Sequence, residues 1–237
     1  MVSAPDKHSP SRNRLLSVLS DGDFALLQPH LRPVALPLLY DLERPNRKIE
    51  MVYFMETGIA SIVAVQSDGT RVEVGLVGRE GMSGVAVVLG GAQSPHSTYI
   101  QVAGEGQRIK ANELRNAQNA SPSLRDLLLK FAQVFMVQTA HTAIANARAH
   151  IDQRLARWVL MAHDRTDDKT IPLTHEFLSL MLGVRRAGVT EALQTLRRQK
   201  LIDTGRNQIV VRNRKGLERK AGSSYGAPEK EYRRLIG

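Results

Sequence analysis

The segment Leu173–Leu196, LTHEFLSLMLGVRRAGVTEALQTL, constrains the chain most. Phe177, Leu178, Met181 and Leu182 recur at one-turn spacing, the apolar stripe of a short helix, and Thr174 stands before them as its N-cap. Gly183 breaks the pattern, where a glycine takes positive φ at little cost. A second stripe follows, Val189, Leu193 and Leu196, and the face opposite carries Arg186, Thr190, Gln194 and Arg197. The second helix is predicted over about Arg185–Gln199. A buried helix, a glycine turn and a helix with a polar face suit entry into a DNA major groove. An ordinary helical hairpin meets the same spacing, so the next residues matter. Leu201-Ile202, a turn through Asp203, Thr204, Gly205, Arg206 and Asn207, and Ile209-Val210-Val211 read as strand, turn and strand, the hairpin of a winged helix. Arg206 gives that turn a cation suited to a phosphate contact.

Charge agrees with this reading. The net charge is +10, and residues 150–237 hold 18 Lys and Arg against 10 Asp and Glu, so most of the excess lies with the helix pair. A soluble basic surface gives the same count. With no cysteine, disulfides, thiolate zinc sites and cysteine-ligated iron–sulfur clusters are excluded. No uninterrupted apolar run approaches the roughly 20 residues of a membrane span. The opening MVSAPDKHSPSRNR lacks the apolar core of a secretion signal, so no membrane association and a cytoplasmic location are expected. No nucleophile–base set, carboxylate pair, metal-ligand spacing or phosphate loop stands out: no catalytic residue, metal or cofactor is expected, and the chain is not read as an enzyme.

At 237 residues the chain can hold about two domains. Residues 1–13 read as a disordered leader. Short helical pieces follow at Arg14–Leu19 and Phe24–Leu31, with Asp21 or Ser20 as cap of the second. Extended chain begins near Val34, and strands are predicted at Val52–Met55, Ile59–Gln66, Arg71–Val77, Thr98–Val102 and Gln107–Lys110. Asp68-Gly69 is a strong hairpin turn, and the alternation of Val72, Val74 and Leu76 with Arg71, Glu73 and Gly75 assigns the valine–leucine face to the core. Gly78–Gly84 lacks the lysine of a phosphate loop and reads as a turn. Many short strands with glycine turns indicate a β-roll or jelly roll. Ser121-Pro122 opens a helix running to about Arg148, long enough that its apolar stripe must lie along the roll or pair with a second copy. A further helix is predicted at Ile151–His163, a charged loop at Asp164–Thr170, and a short final helix at Pro228–Ile236.

A β-roll, a long helix and a winged helix-turn-helix in this order resemble the bacterial Crp/Fnr transcription regulators over nearly the whole chain. The likeness is sharpest in LTHEFLSLMLGVRRAGVTEALQTLRRQKLI; VYFMETG, SDGTRVEVGLVGREGMSG and DQRLARWVLMAHDR resemble a branch common in soil α-proteobacteria. The resemblance implies an α+β fold: an N-terminal antiparallel, jelly-roll-like β-roll, a long dimerisation helix and a C-terminal winged helix-turn-helix. The division would be a cyclic-nucleotide-binding-like sensor at 14–120, the dimerisation helix at 121–149, the DNA-binding domain at 150–216 and a basic tail at 217–237. It implies a homodimer on a palindromic double-stranded operator, with half-sites about 34 Å apart, and RNA polymerase as a partner. Arg186 matches the base-reading arginine, whose planar fork suits guanine O6 and N7. Arg185 matches a phosphate contact, and Thr174 and His175 lie near the first helix's backbone contact.

The departures are informative. Ala187 and Glu191 stand at two other base-reading positions, and Gly188 replaces a residue that often contacts phosphate, so the operator should differ from the family's best-known ones. Glu191 either accepts from a cytosine amine or pairs with Arg185 or Arg198. Where relatives bind a cyclic nucleotide through Gly-Glu and Arg-Ser pairs, this chain resembles them only as Ser83-Gly84 and His96-Ser97. A neutral histidine does not replace a bidentate guanidinium on phosphate, so tight cyclic AMP binding is not expected and the effector is unknown. The tail run Gly222-Ser223-Ser224-Tyr225 stands where related branches carry a Cys-x-Cys-Tyr pattern. The competing reading is a small-molecule sensor or interaction protein whose β-roll is the functional part.

Overall fold

Asn13 anchors the start of the β domain. In the computed structural model, which describes residues 11–237, its side chain is fully buried and caps helix α1 (Arg14–Ser17) by accepting from the backbone N–H groups of Leu15 and Leu16. Its amide donates to the Met55 and Gly81 carbonyls, both at 2.8 Å. Asn13 is therefore a structural anchor and not the end of a disordered leader; residues 1–10 lie outside the described residues. Helix α2 (Asp21–Leu27) is capped by Ser20, whose side chain accepts from Asp23 N–H, which settles the choice between Ser20 and Asp21.

The chain forms two units, one of the described residues up to Ala60 with Val77–Gln133 and Arg233–Gly237, the other of Ser61–Leu76 with Val134–Tyr232. The N-terminal part is an antiparallel β-sheet domain. Strands β1 (Arg32–Leu36), β3 (Met51–Met55) and β7 (Gly104–Lys110) form a sheet in the order β1-β7-β3, with Val34 opposite Gly106 and Tyr53 opposite Arg108. Strand β2 (Asp41–Glu43) pairs antiparallel with β6 (Ser97–Val102). Strands β4 (Ile59–Val65) and β5 (Arg71–Val77) flank the Ser67–Thr70 turn, where Gly69 has φ +84°. Two helices are additional to those expected from the sequence: the single turn α3 (Val85–Val88) and α4 (Ala111–Ala120), whose segment ANELRNAQNA buries only Ala111, Leu114, Ala117 and Gln118.

Helix α5 (Pro122–Arg148) spans 27 residues. Ser121 starts it, its hydroxyl accepting from Leu124 N–H and donating to Asp23. Among the described residues it is long and apolar enough to cross a membrane by length and mean hydropathy, 1.2, which a search for uninterrupted apolar runs passes over. Its Gln138 is engaged inside the protein: Leu76 N–H donates to its Oε1 at 2.7 Å and its Nε2 donates to Leu76 O at 3.1 Å. In β5 the alternation rule fails in part. Glu73 and Gly75 are buried while Val72 and Val74 are only half-buried, against expectation, whereas Leu76 is buried and Arg71 exposed as expected.

Helix α6 (Ile151–His163) matches its predicted bounds. Strand β8 (Thr170–Pro172), helices α7 (His175–Leu182) and α8 (Arg186–Arg198) and strands β9 (Ile202–Gly205) and β10 (Gln208–Val211) follow. Helices α9 (Arg214–Ala221) and α10 (Ala227–Leu235) complete the chain. The tail as far as Tyr232 belongs to the second unit. Lys220 pairs with Asp152 at 2.5 Å, and Arg214 donates to Asp164 and to the Tyr225 hydroxyl, each at 2.7 Å.

Candidate nucleic-acid interface

Local chemistry sets the helix pair. Thr174 Oγ1 accepts from Phe177 N–H at 3.2 Å and starts α7. Leu178, Met181 and Leu182 are buried and Phe177 is half-buried. Gly183 ends the helix at φ +60°, the left-handed conformation that glycine enters without a Cβ clash. Arg185 stands at the N-cap position of α8 in extended conformation, without a side-chain capping bond, and Val189, Ala192, Leu193 and Leu196 are buried along the helix. Each stripe read from spacing is the face that packs.

The opposite face of α8 is open. Arg185, Arg186, Thr190, Glu191, Gln194 and Arg197 are all exposed. Thr190 Oγ1 donates back to Arg186 O at 3.0 Å, leaving the hydroxyl's acceptor capacity free to face outward. Gly188 is half-buried, and a Cβ placed there would lie 3.0 Å from Ile151 Cδ1, so its missing side chain lets α8 approach α6 closely. His175 belongs to the first turn of α7 and Thr174 is half-buried.

The wing is a three-stranded sheet in the order β8-β10-β9, one strand more than the sequence indicated. Ile209 lies opposite Thr204 and Ile171. Arg206 and Asn207 form its tip, Asn207 at φ +56°, and Arg206 is exposed there. Arg212 and Asp203 pair at 2.6 Å at the base of the hairpin. Spacing did not reveal Glu176, whose Oε2 lies 3.5 Å from Arg186 Nη2. Both side chains are largely exposed, so this pair is weak in solution. It nonetheless sets an anion beside the candidate base-reading guanidinium.

The degenerate effector positions lie in the β domain and are already engaged. Ser83 is buried; its Oγ accepts from Tyr53 N–H at 3.1 Å and its N–H donates to Tyr53 O at 2.9 Å. Gly84 N–H donates to the Glu43 carboxylate at 2.7 Å. Burial pushes the Glu43 carboxyl up, opposed by the Gly84 N–H and Thr98 hydrogen bonds. The chain's own carboxylate thus takes the amide that an anionic ligand would need. His96 and Ser97 are half-buried, and His96 N–H is held by Ser94 Oγ at 3.1 Å. Among the described residues no group of three or more His, Cys, Asp or Glu could hold a metal ion.

Residues 153–220 match the Crp-like helix-turn-helix domain family. The chain is 24% identical over 178 residues to the global nitrogen regulator of Nostoc sp., covering 70% of this chain and 79% of that protein. Its fold is similar to that of FixK2 from Bradyrhizobium japonicum, with a TM-score of 0.67 at 18% identity over 81% of this chain and 98% of that one. It is also similar to TTHB099, a CRP-family transcriptional regulator from Thermus thermophilus, with a TM-score of 0.66 at 18% identity over 83% and 99% of the two chains. The mixed α+β fold, with an N-terminal antiparallel β domain, a long helix and a C-terminal helix-turn-helix, is like that of Crp/Fnr structures.

Proposed function

We propose that this protein is a sequence-specific DNA-binding transcription regulator of the Crp/Fnr type, and not an enzyme. The observation that carries the proposal is the exposed face of α8, with Arg186, Thr190, Gln194 and Arg197 in line beside a wing tipped by Arg206, within a segment that matches a Crp-like helix-turn-helix. In this reading α8 lies in the major groove and Arg186 donates to guanine O6 and N7. Arg185 and Arg206 contact phosphates, with Thr174 and His175 at the first helix's backbone contact. Glu191 is free to accept from a cytosine amine. Residues 150–216 are the DNA-binding domain, with residues 217–232 in the same unit.

Dimerisation along α5 supplies the second reader. Leu129, Met136 and Ile144 are large apolar side chains, 39%, 59% and 53% exposed, on the helix expected to pair with its copy. The two-fold pair would read palindromic half-sites about 34 Å apart and contact RNA polymerase from the cytoplasm. Cyclic AMP is not the effector, since Glu43 occupies the Gly84 amide and His96 replaces the phosphate-binding arginine.

Binding of the full chain to promoter fragments, followed by anisotropy over a salt series, tests the reading. Affinity should fall steeply with salt. Arg186→Ala should cost about 1–3 kcal/mol on the preferred site and much less on random DNA; equal losses on both would refute base reading. Micromolar or tighter cyclic AMP binding by isothermal titration would refute the effector assignment.

A further inference from the structure

Glu73 is the least expected buried group in the molecule. It is 5% exposed in β5, on the face that alternation assigns to solvent. Its carboxylate accepts from Ser61 Oγ of β4 at 2.6 Å and from Trp158 Nε1 of α6 at 2.9 Å. Trp158 lies within the matched helix-turn-helix segment. The hairpin reaches that segment at a second place: a Cβ at Gly183, in the turn between α7 and α8, would lie 3.7 Å from Val72 Cγ2. The one carboxylate of the hairpin that is buried is thus seated on α6, within the matched segment.

The charged groups around it are directed elsewhere. Arg157 of α6 donates from Nε to Ser224 O at 2.9 Å and from Nη2 to Thr142 Oγ1 at 3.1 Å. Arg165, just after α6, donates from Nη1 to Met161 O at 2.7 Å and from Nη2 to Leu76 O at 3.4 Å. Arg154 donates to Leu182 O. Glu229 of α10 acts on Arg157. The α5 and α7 side chains facing this region, Thr142, Asn146, Met181 and Leu182, are uncharged. Two neutral donors therefore make the direct contacts. An indole donates only, while a serine hydroxyl can donate to a carboxylate or accept from a carboxylic acid. The pair can satisfy either protonation state. A cavity of about 20 Å³, room for about one water, adjoins Glu73, Gly75, Trp158 and Met161. A valine here would pack without the cost of burying a carboxyl.

We propose that Glu73, Ser61 and Trp158 form a proton-linked latch that seats the β4–β5 hairpin on the DNA-binding segment when Glu73 is protonated and holds it less tightly when the proton leaves. The regulatory half of this proposal rests on the DNA-reading function proposed above; the latch itself does not. Burial dominates and pushes the Glu73 carboxyl up to about 7, against the opposing pull of the Ser61 and Trp158 hydrogen bonds and of Arg157 and Arg165. Because the seated value exceeds the free value of 4.5, seating is fully favoured below 4.5 and weakens as pH rises through about 7. The seated-to-released ratio falls by at most about 300-fold between the two limits.

Trp158 is the sole tryptophan of the chain, so its intrinsic emission in the unlabelled full-length protein reports on the latch. Wild type should show an emission transition centred near pH 7. Glu73→Gln, neutral at every pH and still an acceptor for the indole, should lack it. Ser61→Ala removes a donor that favours the charged form and should move the midpoint to higher pH. A Glu73→Gln variant that titrates like wild type, or a wild type with no transition between about pH 5.5 and 8.5, would overturn the latch. Anisotropy with labelled promoter DNA tests the coupling: affinity should vary with pH in wild type and stay flat, by comparison, in Glu73→Gln. Identical pH profiles would refute the regulatory half. No DNA binding by either protein would refute the DNA-reading function and the regulatory half with it, while the emission transition would still decide the latch on its own.

Discussion

Replacing Asn13 with alanine removes four hydrogen bonds at one point of the β domain. Its Oδ1 caps α1 by accepting from Leu15 and Leu16 N–H, and its Nδ2 bridges the Met55 and Gly81 carbonyls at 2.8 Å each. Loss of an asparagine cap costs about 1 kcal/mol. Each buried carbonyl deprived of its donor adds about 1 kcal/mol at the low end of the desolvation penalty. The expected loss is about 3 kcal/mol, or a fall in Tm of about 6–12 °C for a domain of 150–250 residues. Asn13→Ser separates the parts. Its hydroxyl keeps a cap but cannot bridge both carbonyls, so it should lose about 2 kcal/mol. Asn13→Asp keeps the cap and sets a carboxylate against two carbonyl oxygens, so it should be at least as damaging as alanine. Urea unfolding followed by far-UV circular dichroism measures all three. An alanine variant within about 0.5 kcal/mol of wild type, the ordinary range for surface changes, would refute the anchoring role.

Two further perturbations test the packing. A Cβ at Gly75 would lie 2.7 Å from Phe135 Cε2 and 2.9 Å from Cζ, so Gly75→Ala should destabilise by about 1–3 kcal/mol, and adding Phe135→Leu should restore part of it; a neutral alanine variant in thermal unfolding would contradict the close approach of β5 and α5. Burial acts to raise the Asp23 carboxyl, but hydrogen bonds from Ser121, Ser123 and Ser20 outweigh it and hold the group below its ordinary 3.8. With the folded value depressed, its stabilisation is present above 3.8 and is lost as pH falls through the folded value. The stability advantage of wild type over Asp23→Asn should therefore shrink in acid, and an advantage that grows in acid would reverse the assignment.

Legibility followed the distance over which each feature is decided. The α7–α8 pair is readable because its stripe, cap and glycine turn all fall within about two dozen residues; the same spacing sets Arg186 on the polar face, while its base-reading role comes from the family resemblance. Glu176 is not readable in this way, because its approach to Arg186 depends on how α7 and α8 cross, which no periodicity records. Asn13 looked like leader because its partners, Met55 and Gly81, stand 42 and 68 positions away. Glu43 was silent for the same reason, its partner Gly84 lying 41 residues on.

Glu73 exposes the deeper limit. Period-2 alternation finds the buried face of a strand only if the other face meets water. The second face of β5 meets Trp158, 85 residues later in the chain, so the polar residue is the one enclosed. A carboxylate that violates the pattern must be offset by something the pattern does not contain, here two neutral donors and an adjoining cavity. Of the β5 residues that alternation misplaces, Glu73 is thus the one whose protonation state can alter how the hairpin holds the reader, since a buried group with an ordinary environment would have nothing to switch.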